Sequence, residues 1–381
     1  MPLRLVATCA LGLEDLLAGE LASLGAAGVR PETGAVGFAG GWPEVWRANW
    51  RLRTANRVLV ELGSWDAADG DALAAGAEAL VAGRSRAWGG VAAGALFHPD
   101  RTLAVRATAS RSQIRDAGWA ALKTKDGLVD GQRRRWGRRA AVARRDPDSP
   151  LRLWLRDDRA TLLLDTSGDP LDRRGYRLAT AAASLRETLA AAVVLASGWD
   201  GRGPVVDPMC GAGTLLAEAG WIALGRPPGA LRRGWAFERL PGFDPRAFAA
   251  VRAEPVPAPG PDVEIYGTDL DPAALAAARD NLERAGLAGR AVLLEQDGLE
   301  FAPPPRPGLL VVNPPYGERL AGEPELWRRL GDLLKRRYAG WRAAVLAGDP
   351  GRGKHIGLRP RRRLPVKNGP LDARILVFDL Y

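Results

Sequence analysis

The run Leu309-Leu310-Val311-Val312, closed by Asn313-Pro314-Pro315-Tyr316, constrains this chain more than any other stretch. Four branched aliphatics stopped by two prolines read as a buried strand that ends abruptly. Proline has no N–H, and its ring keeps the preceding residue out of the helical region, so neither helix nor sheet ladder continues through it. Asn313 and Tyr316 are therefore expected at a strand's carboxyl end, the edge where open parallel α/β sheets bind ligands. An amide acceptor, a stiff prolyl carbonyl and a flat aromatic suit one task, gripping a planar amine. The plainer reading is a surface turn after a core strand.

The residues upstream favour the first reading. The strand predicted over 203–206 runs into Asp207-Pro208-Met209-Cys210-Gly211-Ala212-Gly213-Thr214, with a helix starting at Leu215. Strand, glycine turn and helix start bring backbone close to a ligand and aim free N–H groups at it. A dinucleotide fingerprint is disfavoured, because Leu216 stands where its third glycine belongs and the next strand-end acid, Asp269, lies far beyond the usual spacing of about 20 residues. The strand 263–267 leads into Thr268-Asp269-Leu270-Asp271-Pro272, where Asp271 is a good N-cap and Asp269 is left free for a ribose diol. The strand 291–295 ends at Gln296-Asp297-Gly298, and Asp297 can accept a bond from an adenine amine. Asp207, Asp269 and Asp297 thus match the positive amino acid, the ribose and the adenine of S-adenosylmethionine.

The N-terminal part reads differently. Strands at 3–8, 29–31, 35–38 and 57–62, with helices over 12–25 and through Trp42, Trp46 and Trp50, give the order βαββαβ of a ferredoxin-like unit. The four-residue spacing of those tryptophans suits a core stripe better than a base-stacking surface. A second α/β unit follows to about residue 166, with a helix over 71–87, a strand over 102–108 and strands at 151–155 and 160–165. It carries Lys123, Lys125 and the run Arg133, Arg134, Arg135, Arg138 and Arg139. Such a run is either a solvated helix face or a set of phosphate contacts that position RNA without reading its sequence. A polar, basic connector spans 167–183, and the insertion 225–261 either lines a substrate mouth or is a surface excursion.

Composition adds limits. The 381 residues allow two or three domains, and all but five of the 54 basic residues are arginine, for a formal charge of +10. A basic balance fits a polyanionic partner. Two cysteines and two histidines form no zinc-spaced cluster and no disulfide framework, so no metal is expected. No long apolar span or signal pattern is present, and a soluble cytoplasmic protein without membrane association is expected.

The series Asp207–Gly213, Thr268–Asp271, Gln296–Gly298 and Asn313–Tyr316 resembles the motifs of class I amino-methyltransferases. More narrowly, with Ala10–Glu14, Arg174–Arg177, Leu185–Ala191, Asn313–Leu320 and Lys367–Leu371, the chain resembles the bacterial THUMP-domain guanine-N2 methyltransferases of large-subunit (23S) ribosomal RNA, the RlmL type. The resemblance runs nearly end to end. It implies an α/β fold, a ferredoxin-like unit (1–66) and a THUMP unit (67–166) that bind RNA, a linker (167–183), and a Rossmann-like methyltransferase domain (184–381) with a mostly parallel seven-stranded sheet. It implies S-adenosyl-L-methionine as cofactor, held by Thr188, Asp207, Pro208, Cys210, Gly211, Gly213, Thr214, Asp269 and Asp297, with Asn313, Pro314, Pro315 and Tyr316 at the reacting amine. Lys367 joins Lys123, Lys125 and the arginines of 133–139 as an RNA contact. Some members continue into a second methyltransferase domain, which a chain ending at Tyr381 is expected to lack. A tRNA guanine-N2 methyltransferase, and an RNA-binding assembly factor with a vestigial cofactor pocket, are the competing readings.

Overall fold

The computed structural model describes residues 2–83, 87–143, 145–177, 185–315, 323–348 and 351–381. In its N-terminal part β1 (Leu3–Thr8), α1 (Glu14–Ser23), β2 (Ala27–Glu32), β3 (Ala35–Gly40), α2 (Trp42–Arg51) and β4 (Arg57–Asp66) follow in the expected order. Strand β1 lies antiparallel between β3 and β4, with Leu5 opposite Phe38 and Val60. At α1, Leu13, Leu17 and Leu21 are buried against the sheet, with Leu16 half-buried beside them.

The second unit holds α3 (Gly70–Ala82), a hairpin of β5 (Ala87–Trp88) and β6 (Val91–Ala92), the short α4 (Ala93–Leu96), β7 (Leu103–Ser110), α5 (Ala117–Trp136), β8 (Ser149–Arg156) and β9 (Arg159–Asp165). Helix α5 runs on through the arginine cluster because Asp116 caps its start and nothing breaks it before Gly137. Helices α3 and α5 pack on each other and over the sheet. Strand β4 is longer than its apolar pattern suggests and pairs antiparallel with β9 along Leu59–Asp66. The two N-terminal units consequently share one seven-stranded sheet, in the order β2-β3-β1-β4-β9-β8-β7.

The C-terminal part contains α6 (Glu187–Ser197), β10 (Val205–Asp207), α7 (Thr214–Ala223), α8 (Pro245–Ala253), β11 (Ile265–Asp269), α9 (Pro272–Arg284), β12 (Ala291–Glu295), β13 (Leu309–Val312), α10 (Glu323–Arg337), β14 (Arg342–Ala347), β15 (Arg362–Asn368) and β16 (Leu371–Asp379). Its sheet runs β12-β11-β10-β13-β14-β16-β15. The first five strands are mutually parallel, while β16 opposes β14 and β15 opposes β16. Every residue of β13 is buried, as an apolar run covered on both faces must be. From β10 the chain builds outward to β11 and β12, then returns to the other side of β10 for β13 and β14. The crevice between β10 and β13 is therefore the topological switch point of an α/β sheet.

Two stretches differ from their sequence reading. The described part of the polar connector, 167–177, is not an exposed linker: Ser167, Arg174 and Tyr176 are buried. Arg174 is accommodated because its guanidinium donates to Glu218 Oε1 at 3.2 Å, to Leu171 O at 2.6 Å and to the carbonyl of Arg53. Such full pairing is what a buried charge requires. The 225–261 insertion is a fastening between the two halves. Phe237, Phe243 and Phe248 meet Trp46 at centroid distances of 6.4, 5.9 and 6.3 Å. Arg47 grips Glu254 with two bonds of 2.9 and 2.6 Å. The tryptophan stripe of α2 is core, as its spacing predicts, and the core it enters belongs to both halves.

Candidate active site

The three strand-end carboxylates and the amide of Asn313 meet along the carboxyl edge of the C-terminal sheet. Parallel register sets this: Asp207 lies beside Gly267 on β11, and Asp269 beside Glu295 on β12, so each acid follows its own strand to the same edge. Asp207 is 1% exposed, and Oδ1 accepts the Met209 N–H at 3.1 Å. Burial pushes its carboxyl up to about 8, against that hydrogen bond and with the nearby charge of Asp269 adding to the rise. Asp269 is held by backbone, since its two oxygens accept the N–H groups of Gly211 at 2.8 Å and Asp271 at 3.0 Å. Asp271 caps α9 through Ala273 N, which is the structural job its position predicts.

The turn from β10 to α7 needs its glycine. Gly213 has φ +74°, and a Cβ there would lie 3.3 Å from that of Ala278, so a side chain would be strained as well as crowded. Pro208 carries the carbonyl that accepts the Thr268 hydroxyl at 2.9 Å, which ties this turn to β11. Cys210 is buried, and burial followed by the charges of Asp207 and Asp269 pushes its thiol up, so it is a packing residue and no nucleophile. Thr214 opens α7 and accepts a bond from Arg177 at 3.0 Å. Thr188, near the start of α6, is buried and donates to Asn56 Oδ1 of the N-terminal half at 3.3 Å.

Asn313 sits just beyond β13 at the switch point. Its Oδ1 is buried and has no hydrogen-bond partner among the described residues. A buried acceptor left open carries a desolvation cost, which a donor arriving at this edge of the sheet would relieve. Pro314 is buried and Pro315 exposed, whereas Tyr316 lies outside the described residues.

Three participants have no signal in the sequence. Arg329 of α10 donates to Asp297 Oδ2 at 2.7 Å, while Oδ1 accepts Leu299 N at 3.0 Å. Partial burial pushes the Asp297 carboxyl up, but these two bonds outweigh it and hold it below its ordinary value. Asn56 reaches Thr188 from a strand start more than a hundred residues earlier. Glu187, the first residue of α6, is pushed up to about 7 by burial, with Arg177 opposing the rise from 3.5 Å. Only the periodic and strand-end positions are readable locally; these pairings depend on tertiary neighbours.

The basic candidates are elsewhere and mostly engaged. On α5, Lys123 lies 5.6 Å over the Trp119 ring, Lys125 pairs with Asp126 at 2.7 Å, and Arg133 pairs with Asp130 at 3.1 Å. Arg134 pairs with Glu78 of α3. Arg135 donates to Val81 O at 2.8 Å and covers Trp136, and Arg138 pairs with Asp100 at 2.6 Å. Arg139 is exposed, without a partner among the described residues. Lys367, near the end of β15, pairs with Asp372 at 2.8 Å. Among the described residues no cluster of three or more His, Cys, Asp or Glu could hold a metal ion, and no helix is long and apolar enough to cross a membrane.

Comparison with known proteins agrees with this architecture. The family described as RlmL ferredoxin-like domain matches residues 4–59, the THUMP domain matches 89–165, and the family described as RMKL-like, methyltransferase domain matches 174–376. The ribosomal RNA large subunit methyltransferase K/L of Methylococcus capsulatus is 38% identical over 98% of this chain and 51% of its own length. A Synechocystis sp. protein named provisionally as an RNA methyltransferase is 34% identical over 98% of this chain and 96% of its own. The chain thus spans about half the length of the K/L relatives it matches and nearly all of the Synechocystis one. Among solved structures, SMU.472, provisionally titled a methyltransferase and complexed with SAH, superposes with a TM-score of 0.86 at 27% identity, covering 100% of this chain and 98% of that one. With a switch-point asparagine, strand-end acids and these matches in the same order along the sequence, the chain belongs to the RMKL-like methyltransferase-domain family, its class I methyltransferase fold preceded by RlmL ferredoxin-like and THUMP domains.

Proposed function

We propose that the chain transfers a methyl group from S-adenosyl-L-methionine to the exocyclic N2 of a guanine in large-subunit (23S) ribosomal RNA. The observation that carries this reading is the buried, unpartnered Oδ1 of Asn313 at the switch point. Guanine N2 is a poor nucleophile, because its lone pair is delocalised into the ring. Asn313 Oδ1 and the Pro314 carbonyl would accept its two N–H bonds, favouring the pyramidal nitrogen and holding it in line. Once methylated, the cationic nitrogen is acidic enough to lose a proton without a strong base. Tyr316 would stack on the base, which has to leave any helical stack to enter.

The residues at the sheet edge fit the cofactor, which when bound supplies an electrophilic methyl on a sulfonium. Asp207 accepts one protein hydrogen bond and keeps acceptor capacity for an ammonium group. Asp269, fixed by two backbone N–H groups, is aimed for a ribose diol, and Asp297, fixed by Arg329, for the adenine amine. Pro208, Cys210, Gly211, Gly213 and Thr214 form the turn beneath, and Thr188 ties this pocket to the N-terminal half. That half would hold RNA; of its candidate cations named above, Arg139 is exposed and has no partner among the described residues.

The test is methyl incorporation from labelled cofactor into ribosomal RNA and tRNA lacking the modification, followed by nucleoside mass analysis. The expected product is N2-methylguanosine in large-subunit RNA. The same nucleoside in tRNA alone moves the substrate to tRNA, and an absence of cofactor binding leaves an RNA-binding protein. Asn313→Ala should lower kcat by about 10²–10³ with cofactor affinity kept, as for the loss of one preorganised transition-state hydrogen bond. Turnover near the wild-type rate removes the assigned role.

A further inference from the structure

A second one-signed stretch of the chain lies outside the THUMP unit. Residues 351–371 hold seven lysines and arginines and no aspartate or glutamate. Their centre is β15, an edge strand of the methyltransferase sheet. The carboxyl half of that edge is covered. The Lys367 N–H donates to Leu11 O at 2.9 Å, and a Cβ on Gly12 would fall 1.9 Å from Pro365 O, so the β1–α1 loop is seated directly on the strand. Two stretches of the family resemblance, Ala10–Glu14 and Lys367–Leu371, therefore meet in space and dock the N-terminal half there.

The amino half of the edge is open. Arg359, Arg362 and Arg363 are exposed and have no ion-pair or hydrogen-bond partner among the described residues, while Arg361 pairs with Asp379 at 3.1 Å. The sheet register carries this patch to the site. Val312 lies opposite Val345, Val345 opposite Leu376, and Leu376 opposite Arg363. Arg363 is thus three strand steps from the residue before Asn313, or about 15 Å at the usual spacing. That distance is well under the roughly 34 Å of one duplex turn.

We propose that Arg359, Arg362 and Arg363 form an RNA-phosphate surface on the methyltransferase half, which holds the strand flanking the target nucleotide. The inference rests on the RNA reading of the site above. Charges on an open edge also prevent edge-to-edge pairing, and one or two suffice for that. Three neighbouring arginines without a partner among the described residues, next to the loop that seats the N-terminal half, fit a polyanion better.

The test compares the full chain with an Arg359→Gln, Arg362→Gln, Arg363→Gln triple variant. Binding to an unmodified large-subunit ribosomal RNA transcript is measured across 50–200 mM salt, alongside SAH affinity and melting temperature. The expected result is about tenfold weaker RNA binding, with the salt slope reduced by about 2–3. SAH affinity and melting should stay as in the wild type, and the Arg→Lys triple should recover the slope. An unchanged slope overturns the proposal, whether the variant self-associates (edge protection) or the patch serves an acidic protein. If the wild type binds RNA with this slope but methylates none, the methylation reading fails while the surface stands. If it methylates RNA and the triple keeps the slope, the surface alone fails.

Discussion

Asp165 and Asp207 are both buried aspartates at the ends of strands, one in each sheet, and they are treated in opposite ways. Asp165 ends β9 in the N-terminal sheet with every direction filled. Oδ2 accepts from Arg57 at 2.6 Å and Arg152 at 2.8 Å, and Oδ1 accepts the N–H groups of Ser167 and Gly168 at 3.0 and 3.2 Å. Asp207 ends β10 with one backbone N–H and, among the described residues, no cation, and burial pushes its carboxyl up to about 8. Asn313 repeats the second pattern with an amide. A buried polar group that the protein satisfies itself contributes to the fold. One left short at the carboxyl edge of a parallel sheet, where ligands bind, is instead a group that an incoming donor would complete.

The sharpest way to break this contrast is to remove each carboxylate in turn. Asp165→Ala leaves Arg57 and Arg152 facing each other without their anion, in a site where burial already pushes the Arg57 guanidinium down. The expected loss is about 3–5 kcal/mol of stability, read by urea unfolding, as for breaking a buried pair from one side. Asp207→Asn should leave stability unchanged or higher while SAH affinity falls at least tenfold. If Asp207→Asn unfolds as readily as Asp165→Ala, Asp207 is a structural residue and the contrast collapses.

A milder perturbation, pH, separates the same two roles. A carboxyl raised from 3.8 to about 8 keeps its proton in the folded state after the unfolded chain has lost it. The folded protein therefore binds more protons across that window, and stability without ligand should decline as pH rises through it, then level above about 8. An ammonium-bearing ligand prefers the ionised carboxylate, so SAH affinity should rise with pH over the same range, by at most about tenfold per unit, and flatten above pH 8. Calorimetric titrations between pH 6 and 9 on wild type and Asp207→Asn give the comparison. The variant is expected to show neither slope, and equal slopes in both proteins would assign the titration to another group, with Glu187 the first candidate.

How much of this was legible beforehand follows from the range of the interactions. Asp207, Asp269, Asp297 and Asn313 could be read because each ends an apolar run, and in a parallel sheet every such end reaches the same edge. Asp271 as a cap was readable from its neighbour Pro272. The saturation of Asp165 was not, since Arg57 lies 108 residues away in sequence. Arg329 on Asp297 is likewise a helix-face residue whose partner is fixed by packing. The 225–261 insertion offered only prolines and arginines as a signal, and its role depends on three phenylalanines reaching a helix of the other half.

Charge density can be tested against partner occupancy in the same way, and α5 supplies the smallest and most discriminating prediction. Arg133, Arg134 and Arg135 form the densest arginine run in the THUMP unit, yet Asp130, Glu78 and the Val81 carbonyl occupy them. To contact a phosphate, each has to give up a partner. An exposed pair is worth only about 0–1 kcal/mol, so the exchange is possible, but its net gain is the difference between two similar terms. Neutralising all three to glutamine removes guanidiniums of which two are already offset by Asp130 and Glu78, so little free charge is lost to RNA. The expected outcome is RNA affinity within about twofold of wild type, with a change in salt slope below one, against two to three for the open arginines of β15. Because both triples remove the same formal charge, a nonspecific effect of net charge would move them equally. A loss in the α5 triple as large as that in the β15 triple would mean that the intramolecular pairs yield to RNA. Partner occupancy would then be no guide to which cations on this molecule are free to bind.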